Sequence, residues 1–413
     1  MDSPILQALT EAVAAGRPDA GAEFWALVES GGAPLVEPDP TDPARRLVTF
    51  VWRDDPAAPA ADVLALLHTF TDRDRHAGDL TPHLMRRLPG ADGWAITHRL
   101  PADLRASYQF FVGTGPRAET LRTDRKAWLS VLDAAVPDPF NAAPVLAARD
   151  GRNPSSVLEL PDAPAQPWAH RRPGVPRGSR EDTTVDGRRV SVLLPAGHAF
   201  GQGPYRVAVL LDGEVWGSVL AIGDTLDNLH AEGRIPPTVA LLVDTMGRDR
   251  RMVDLTCSEP FVDWLADVLL PWAGKRYGVG EDPAHTVVAG QSAGGLTAAF
   301  AAFHRPTRFG NALSQSGSFW WPDPDESNDG AEWLTRRFAV TKRLPIRFHL
   351  EVGLLEWMLL AENRRLRDVL VERGYEVAYD EFDGGHDYAC WRGGLAGGLV
   401  GLLSAEGSWS DGR

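Results

Sequence analysis

From about residue 183 onward, apolar runs of strand length alternate with stretches at helical spacing. That alternation is what most narrows the folds open to the chain. Val190-Ser-Val-Leu-Leu194, Arg206-Val-Ala-Val-Leu-Leu211 and Val239-Ala-Leu-Leu-Val243 read as strands. Phe261 to Tyr277 has helical spacing. Thr286-Val-Val-Ala289 is a further strand, followed by the Ala-rich stretch Ala293 to Phe303. Residues 346–352, 361–373 and 377–382 continue the pattern as strand, helix and strand. Near-continuous apolar strands separated by helices predict a mainly parallel sheet with helices on both faces, an α/β architecture.

The first half reads differently. Residues 4–31 hold an amphipathic helical stretch, with Leu6, Leu9, Val13, Phe24, Trp25 and Val28 as its apolar positions. Arg46 to Trp52, Trp94 to Leu100 and Ala106 to Val112 are short β-like runs separated by Pro and Gly turns, which predicts a smaller β-sandwich. Residues 145–180 are rich in Pro and Arg. The expected division is a β-rich domain over 1–150, a connection over 151–182 and an α/β domain over 183–413.

Composition removes several classes of function. The 413 residues carry 42 Lys+Arg against 56 Asp+Glu, a formal net charge of −14. Such a field repels polyanions, which argues against a dedicated nucleic-acid or membrane-surface binder. Cys257 and Cys390 are the only cysteines, too few for a disulfide scaffold or a cysteine zinc cluster, and no metal-ligand constellation stands out. Met1 to Ala15 carries Asp2 and Glu11 and does not read as a signal peptide. No apolar run approaches ~18 residues. A soluble cytoplasmic protein is the expectation.

The strongest local motif is Gly290-Gln-Ser-Ala-Gly294, placed after a strand and opening a helix. That is the setting of a nucleophile elbow in an α/β-hydrolase, with Ser292 as nucleophile and the Ala293 N–H as oxyanion donor. The chain order of such enzymes is Ser, acid, His. His386, in Asp383-Gly-Gly-His-Asp387 after the last β-like run, fits the base. Glu356, following the strand 346–352, fits the acid, with Asp383 and Asp387 as competitors and a Ser–His dyad as a further arrangement. The loop after Arg206–Leu211 should supply the second oxyanion donor, and the Glu214 N–H is the first candidate.

These motifs resemble the enterochelin (ferric enterobactin) esterase family. The resemblance is carried by Ala289-Gly-Gln-Ser-Ala-Gly-Gly295, Leu211-Asp-Gly-Glu-Val-Trp216, Leu313-Ser-Gln-Ser-Gly-Ser-Phe-Trp320 and Asp383-Gly-Gly-His-Asp-Tyr-Ala-Cys-Trp-Arg392. Phe50-Val-Trp-Arg53, His98-Arg-Leu-Pro101 and Asp138-Pro-Phe-Asn141 are similar to that family's N-terminal domain. The resemblance implies a cytoplasmic serine esterase that opens the trilactone of a ferric tris-catecholate siderophore. Ser292, His386, Glu356 and Glu214 match the family's functional positions. Arg251-Met-Val-Asp-Leu255 resembles its R-x-x-E-L segment, with Asp254 in place of Glu. Iron would arrive as part of the substrate, with no resident cofactor.

An aromatic trianion calls for arginine and aromatic walls. Arg251 is the expected anion contact, with Arg248 and Arg250 as alternatives. Trp216, Trp320, Trp321, Trp357 and Trp391 stand near the motif loops as expected substrate contacts. Cys390 reads as packing. Two rival functions are a different carboxylesterase or acyltransferase, acting on feruloyl or acetyl esters, and a non-catalytic siderophore- or sugar-binding relative. The missing signal-peptide pattern argues against the first, and the intact serine and histidine motifs against the second.

Overall fold

The computed structural model describes residues 3–147, 152–322 and 330–404. The chain divides into two compact units. One comprises the residues through Pro164 together with Asp383–Cys390, the other Ala165–Phe382 together with the residues from Trp391 onward.

The first unit holds two antiparallel sheets. Strands β1 (Leu35–Pro38), β2 (Arg45–Arg53), β4 (Arg86–Arg87) and β5 (Gly93–Pro101) form one, in the order β1-β2-β5-β4. Strands β3 (Asp62–Leu67), β6 (Arg105–Gly113) and β7 (Ser156–Glu159) form the other, in the order β3-β6-β7. Aromatic residues of β2 meet those of β6 between the sheets, Phe50 against Tyr108 at 4.9 Å and Trp52 against Phe110 at 5.6 Å, both edge-to-face. That is sandwich packing. The stretch over 4–31 is two helices, Pro4–Ala14 and Ala20–Gly31, broken at Gly16-Arg-Pro-Asp19, where Gly16 has φ +75°. Leu9, Phe24, Trp25 and Val28 of these helices pack on Leu35, Val51 and Ala95.

The turn Pro137–Asn141 is a junction. The buried Asp138 carboxylate accepts from the Tyr108 hydroxyl and the Phe140 N–H, each at 2.8 Å. The Asp138 N–H donates to Ser156 Oγ at 2.9 Å, and Asn141 Nδ2 donates to the Tyr108 oxygen and to Val157 O. This turn therefore locks β6 to β7. The expected connection over 151–182 does not form a separate segment. Its first strand, β7, completes the first unit's sheet, and residues from Ser179 start the second unit's. Proline density suggested a linker, but strands at sheet edges tolerate flanking prolines.

The second unit is one eight-stranded sheet. Its strands are β8 (Ser179–Val185), β9 (Arg188–Leu194), β10 (Arg206–Leu211), β11 (Thr238–Val243), β12 (Thr286–Gln291), β13 (Asn311–Gln315), β14 (Arg347–Gly353) and β15 (Glu376–Phe382). The order is β15-β14-β13-β12-β10-β11-β9-β8. The six strands from β10 onward run parallel, and the β8–β9 hairpin, turned at Asp186-Gly187 with both φ positive, adds antiparallel strands beside β11. Strands β8 and β13 were not among the runs recognised from the sequence. The helical run 259–277 contains a turn of wider pitch at Leu265–Leu269. Strand β10 lies between β11 and β12, so the chain crosses over it, and the loops after β10 and β12 leave from neighbouring strand ends. In doubly wound sheets such a switch point is where ligands bind. Among the described residues, no helix is long and apolar enough to cross a membrane.

Replacement Asp138→Ala leaves the buried Tyr108 hydroxyl and the part-buried Phe140 N–H without their acceptor and is expected to lower the unfolding free energy by about 2–4 kcal/mol in urea titrations. Asp138→Asn, which keeps one acceptor, should lose about half of that. An alanine variant as stable as the parent would rule out the junction role.

Candidate active site

The second unit carries the elbow. Ser292 stands between β12 and the helix Ala293–His304 with φ 57° and ψ −122°, a conformation that costs a non-glycine residue about 1–3 kcal/mol. Its N–H donates to Gln315 O at 3.0 Å, and its carbonyl accepts from Leu296 N–H and Ser318 N–H, each at 3.0 Å. The motif glycines are steric requirements. A Cβ on Gly290 would lie 2.5 Å from the Gly294 backbone. One on Gly295 would lie 2.6 Å from Ser314 Oγ and 3.0 Å from Gly317 Cα. The Ser292 hydroxyl lies 3.3 Å from Ser318 Oγ. The Ala293 N–H is the first of the helix, where intrahelical partners are lacking and the dipole is positive.

The loop after β10 is braced from two sides. Asp212 is buried with φ +57°, and Arg251 grips its carboxylate through Nε at 2.5 Å and Nη2 at 2.8 Å. The Glu214 carboxylate accepts from the Thr245 N–H at 3.1 Å and from the Thr245 hydroxyl, and burial raises its pKa. Glu214 thus ties this loop to the one after β11. A Cβ on Gly213 would lie 2.3 Å from Leu242 C, so this glycine is needed for close backbone approach. The guanidinium of Arg251, expected to contact the anion, pairs with Asp212, a residue in a left-handed conformation. Asp254, the departure in the R-x-x-E-L segment, is buried and takes both Arg188 and Arg250. Arg248 is exposed and has no ion pair among the described residues.

A buried polar network lies under the loop after β14. Glu356 is almost fully buried, and its Oε1 accepts from the Gly353 N–H at 2.8 Å and from the Ser316 hydroxyl. The Trp391 indole N–H donates to that same Ser316 oxygen at 2.9 Å. Gln315 Nε2 donates to Glu351 Oε1 at 2.6 Å and to Trp391 O at 2.8 Å. Burial, with Asp380 and Glu356 adding like charge and Gln315 opposing, pushes Glu351 up to about 8. Sequence reading missed Ser316, Gln315 and Glu351. The signal was Leu313-Ser-Gln-Ser-Gly-Ser-Phe-Trp320, whose polar residues in an apolar strand context mark a buried network.

The tryptophans separate. Trp216 is fully buried and Trp391 is 2% exposed, so both are corrected from substrate contacts to packing residues. Trp357 is 49% exposed, and Trp320 and Trp321 are half-buried. Leu354 and Met358 stand exposed on the same loop as Trp357, and Met252 and Val253 beside Arg251. None of these four drew attention in the sequence, because an exposed aliphatic residue has no local signature.

His386 belongs to the first unit and is exposed. Its neighbour Asp387 is buried and accepts from the Ser107 N–H at 2.5 Å, the Ser107 hydroxyl at 2.9 Å and the Ala389 N–H at 2.9 Å. Burial and the adjacent Asp103 carboxylate raise Asp383. Both competitors for the acid role are therefore engaged with first-unit residues. Cys390 is buried, its thiol donating to Arg105 O at 3.2 Å. Among the described residues no group of His, Cys, Asp and Glu could hold a metal ion.

The strand order with a strained serine at the end of β12 defines an α/β-hydrolase with a nucleophile elbow. A family model described as putative esterase matches residues 183–402, and one described as enterochelin esterase, N-terminal, matches residues 47–169. The iron(III) enterobactin esterase of Escherichia coli K12 is 33% identical over 370 residues, covering 86% of this chain and 90% of that protein. The iron(III) salmochelin esterase of Escherichia coli O6:H1 is 31% identical over 96% of this chain and 97% of its own. The enterobactin esterase from Shigella flexneri, solved in the presence of enterobactin, superposes with a TM-score of 0.74 at 30% identity, covering 92% of this chain and 97% of that one. The chain belongs to the enterochelin esterase family and is a carboxylic ester hydrolase.

Glu351 gives a signed pH dependence. Its carboxyl titrates near 4.5 when unfolded and about 8 when folded. Between these values the native state holds a proton that the unfolded state has released. Stability is thus full below about pH 4.5 and declines as the pH rises toward 8. Glu351→Gln removes this titration. The variant should match the parent near pH 5 and exceed it at pH 8 by about 2–4 kcal/mol. Superimposable stability curves for the two proteins would contradict the assignment.

Proposed function

We propose that the protein hydrolyses the trilactone of an iron(III)-loaded tris-catecholate siderophore in the cytoplasm, with Ser292 as nucleophile, His386 as general base and Glu356 as the acid that orients it. The strained Ser292 elbow in a chain that belongs to the enterochelin esterase family carries this reading. His386 takes the Ser292 proton as the hydroxyl oxygen attacks a lactone carbonyl. The N–H groups of Ala293 and Glu214 donate to the oxyanion. Collapse expels the seryl alcohol, which takes its proton from the imidazolium. Water, deprotonated by His386, then cleaves the acyl-enzyme. Cleaving one ester opens the ring to a linear trimer, and repeating the cycle on the two remaining esters separates the three catecholates, which lowers their effective concentration around iron(III). The metal is cargo, and the residues need supply no metal chemistry.

Two features support an aromatic, anionic substrate. Trp357, Leu354 and Met358 present apolar surface on the Glu356 loop, and Met252 and Val253 present it on the helix Arg248–Asp254. Arg248, exposed at the start of that helix, is the anion contact proposed beside Arg251, which pairs with Asp212.

Incubation with ferric enterobactin, followed by chromatography of linear trimer, dimer and monomer, tests the substrate. No cleavage of the siderophore alongside rapid cleavage of simple aryl esters would end this reading. Ser292→Ala should lower turnover by about 10⁴-fold or more while binding of the ferric substrate persists. Glu356→Gln should slow turnover by about 10²–10⁴-fold, and a near-parental rate would favour a dyad. Arg248→Ala should raise KM for the ferric trianion several-fold and leave hydrolysis of a neutral aryl ester unchanged. An equal effect on both esters would remove Arg248 from substrate contact.

A further inference from the structure

His386 sits on a segment, Asp383–Cys390, that is structurally part of the first unit although the chain on either side of it belongs to the second. The residues flanking the histidine are both pinned there. On one side, a Cβ on Gly385 would lie 2.3 Å from Thr69 Cγ2 on the helix His68–His76, so backbone and threonine touch with no room for a side chain. On the other, the Asp387 carboxylate is 4% exposed and saturated with three donors, two of them from Ser107 of β6. A third contact follows at Cys390, whose thiol donates to Arg105 O on the same strand. Strand β6 is itself braced. Arg105 pairs with Glu159 and Ser107 with Val157 across to β7, and the Arg105 guanidinium bonds Glu159 and Pro164 O.

Asp387 has no counter-ion in this set. A buried carboxylate held by neutral donors is worth its desolvation only if those donors are fixed, because each one lost leaves charge uncompensated. Its two roles coincide: Oδ2 accepts from Ser107, and Oδ1 accepts from Ala389 to open the helix Tyr388–Leu403. The same carboxylate therefore sets both the anchor and the chain direction immediately after His386. The imidazole stays exposed while the backbone on both sides of it is immobilised.

We propose that β6 of the N-terminal unit is the positioning element for the catalytic base, with Ser107 and Asp387 as positioning residues that fix the backbone of His386. This makes the N-terminal unit a determinant of turnover beyond any part it has in recognition. The inference rests on the reading of His386 as base.

The test uses the full chain and a p-nitrophenyl ester, so its outcome does not depend on the siderophore assignment. Ser107→Ala and Asp387→Asn should lower kcat by about 10–100-fold, the effect of a small displacement of a catalytic group, with KM within about two-fold of the parent. Ser107→Thr, which restores the hydroxyl, should recover most of the loss. Phosphonylation of Ser292 by a fluorophosphonate, which needs the base but no siderophore contact, should slow in parallel. The Kd for ferric enterobactin, read from tryptophan quenching, should stay constant. Parental kcat in Asp387→Asn together with an inactive His386→Ala would overturn the positioning role alone. A His386→Ala protein that retains full activity would overturn the base assignment and the positioning role with it. Loss of kcat matched by equal loss of siderophore affinity, without rescue by threonine, would mark the contact as purely structural.

Discussion

A serine held at φ 57° is the constraint around which the catalytic unit is arranged. The strain of about 1–3 kcal/mol persists only where surroundings over-determine it. Here they do so through the three backbone hydrogen bonds of Ser292 and through glycines at 290 and 295 that allow strand, helix and the Ser314–Gly317 turn to approach at contact distance. Gln315 serves twice in this arrangement. Its carbonyl fixes the Ser292 N–H, and its side chain binds Glu351 and the Trp391 carbonyl. The elbow and the buried network of β14 thus share one residue of β13, and they cannot be displaced independently.

The carboxylates around the site show how environment separates roles. Glu356 accepts two hydrogen bonds just beyond the end of β14, from the Ser316 hydroxyl and the Gly353 N–H. Glu351, five residues earlier, is pushed toward its neutral form by burial. Asp212 and Asp254 each hold arginines that shape loops. A sequence reading sees equivalent acids, but what divides them is the number of donors each finds and the water each loses.

The net charge of −14 raised the question of how an anionic substrate would be drawn in. Many of the arginines near the site are spent on internal pairs: Arg251 on Asp212, and Arg188 and Arg250 on Asp254. The exposed surface of these segments is mixed, with Met252, Val253, Trp357 and Met358 alongside the charged Arg248, Asp249 and Arg250. Under the proposed function, recognition draws on aromatic and aliphatic contact with a short-range charge, because a net negative field gives an anion no long-range steering.

The sequence by itself determined the strand–helix alternation and the elbow at Ser292, because each is a local pattern of spacing, glycine placement and turn chemistry. It also placed a β-sandwich ahead of the α/β unit from three short β-like runs. It did not determine the boundary between the units, since proline density resembles a linker whether or not a strand such as β7 lies within it. It gave no sign that Trp216 and Trp391 are buried, or that Arg251 pairs with Asp212, because the identities suit a binding wall equally well. Only the tertiary structure decided that Ser107 holds Asp387 across 280 residues, and that Gln315 couples Ser292 to Glu351. A hydrogen bond between distant segments leaves no periodicity to read. It exists because folding brings a donor and a buried acceptor together, and the cost of leaving either unpaired keeps them there.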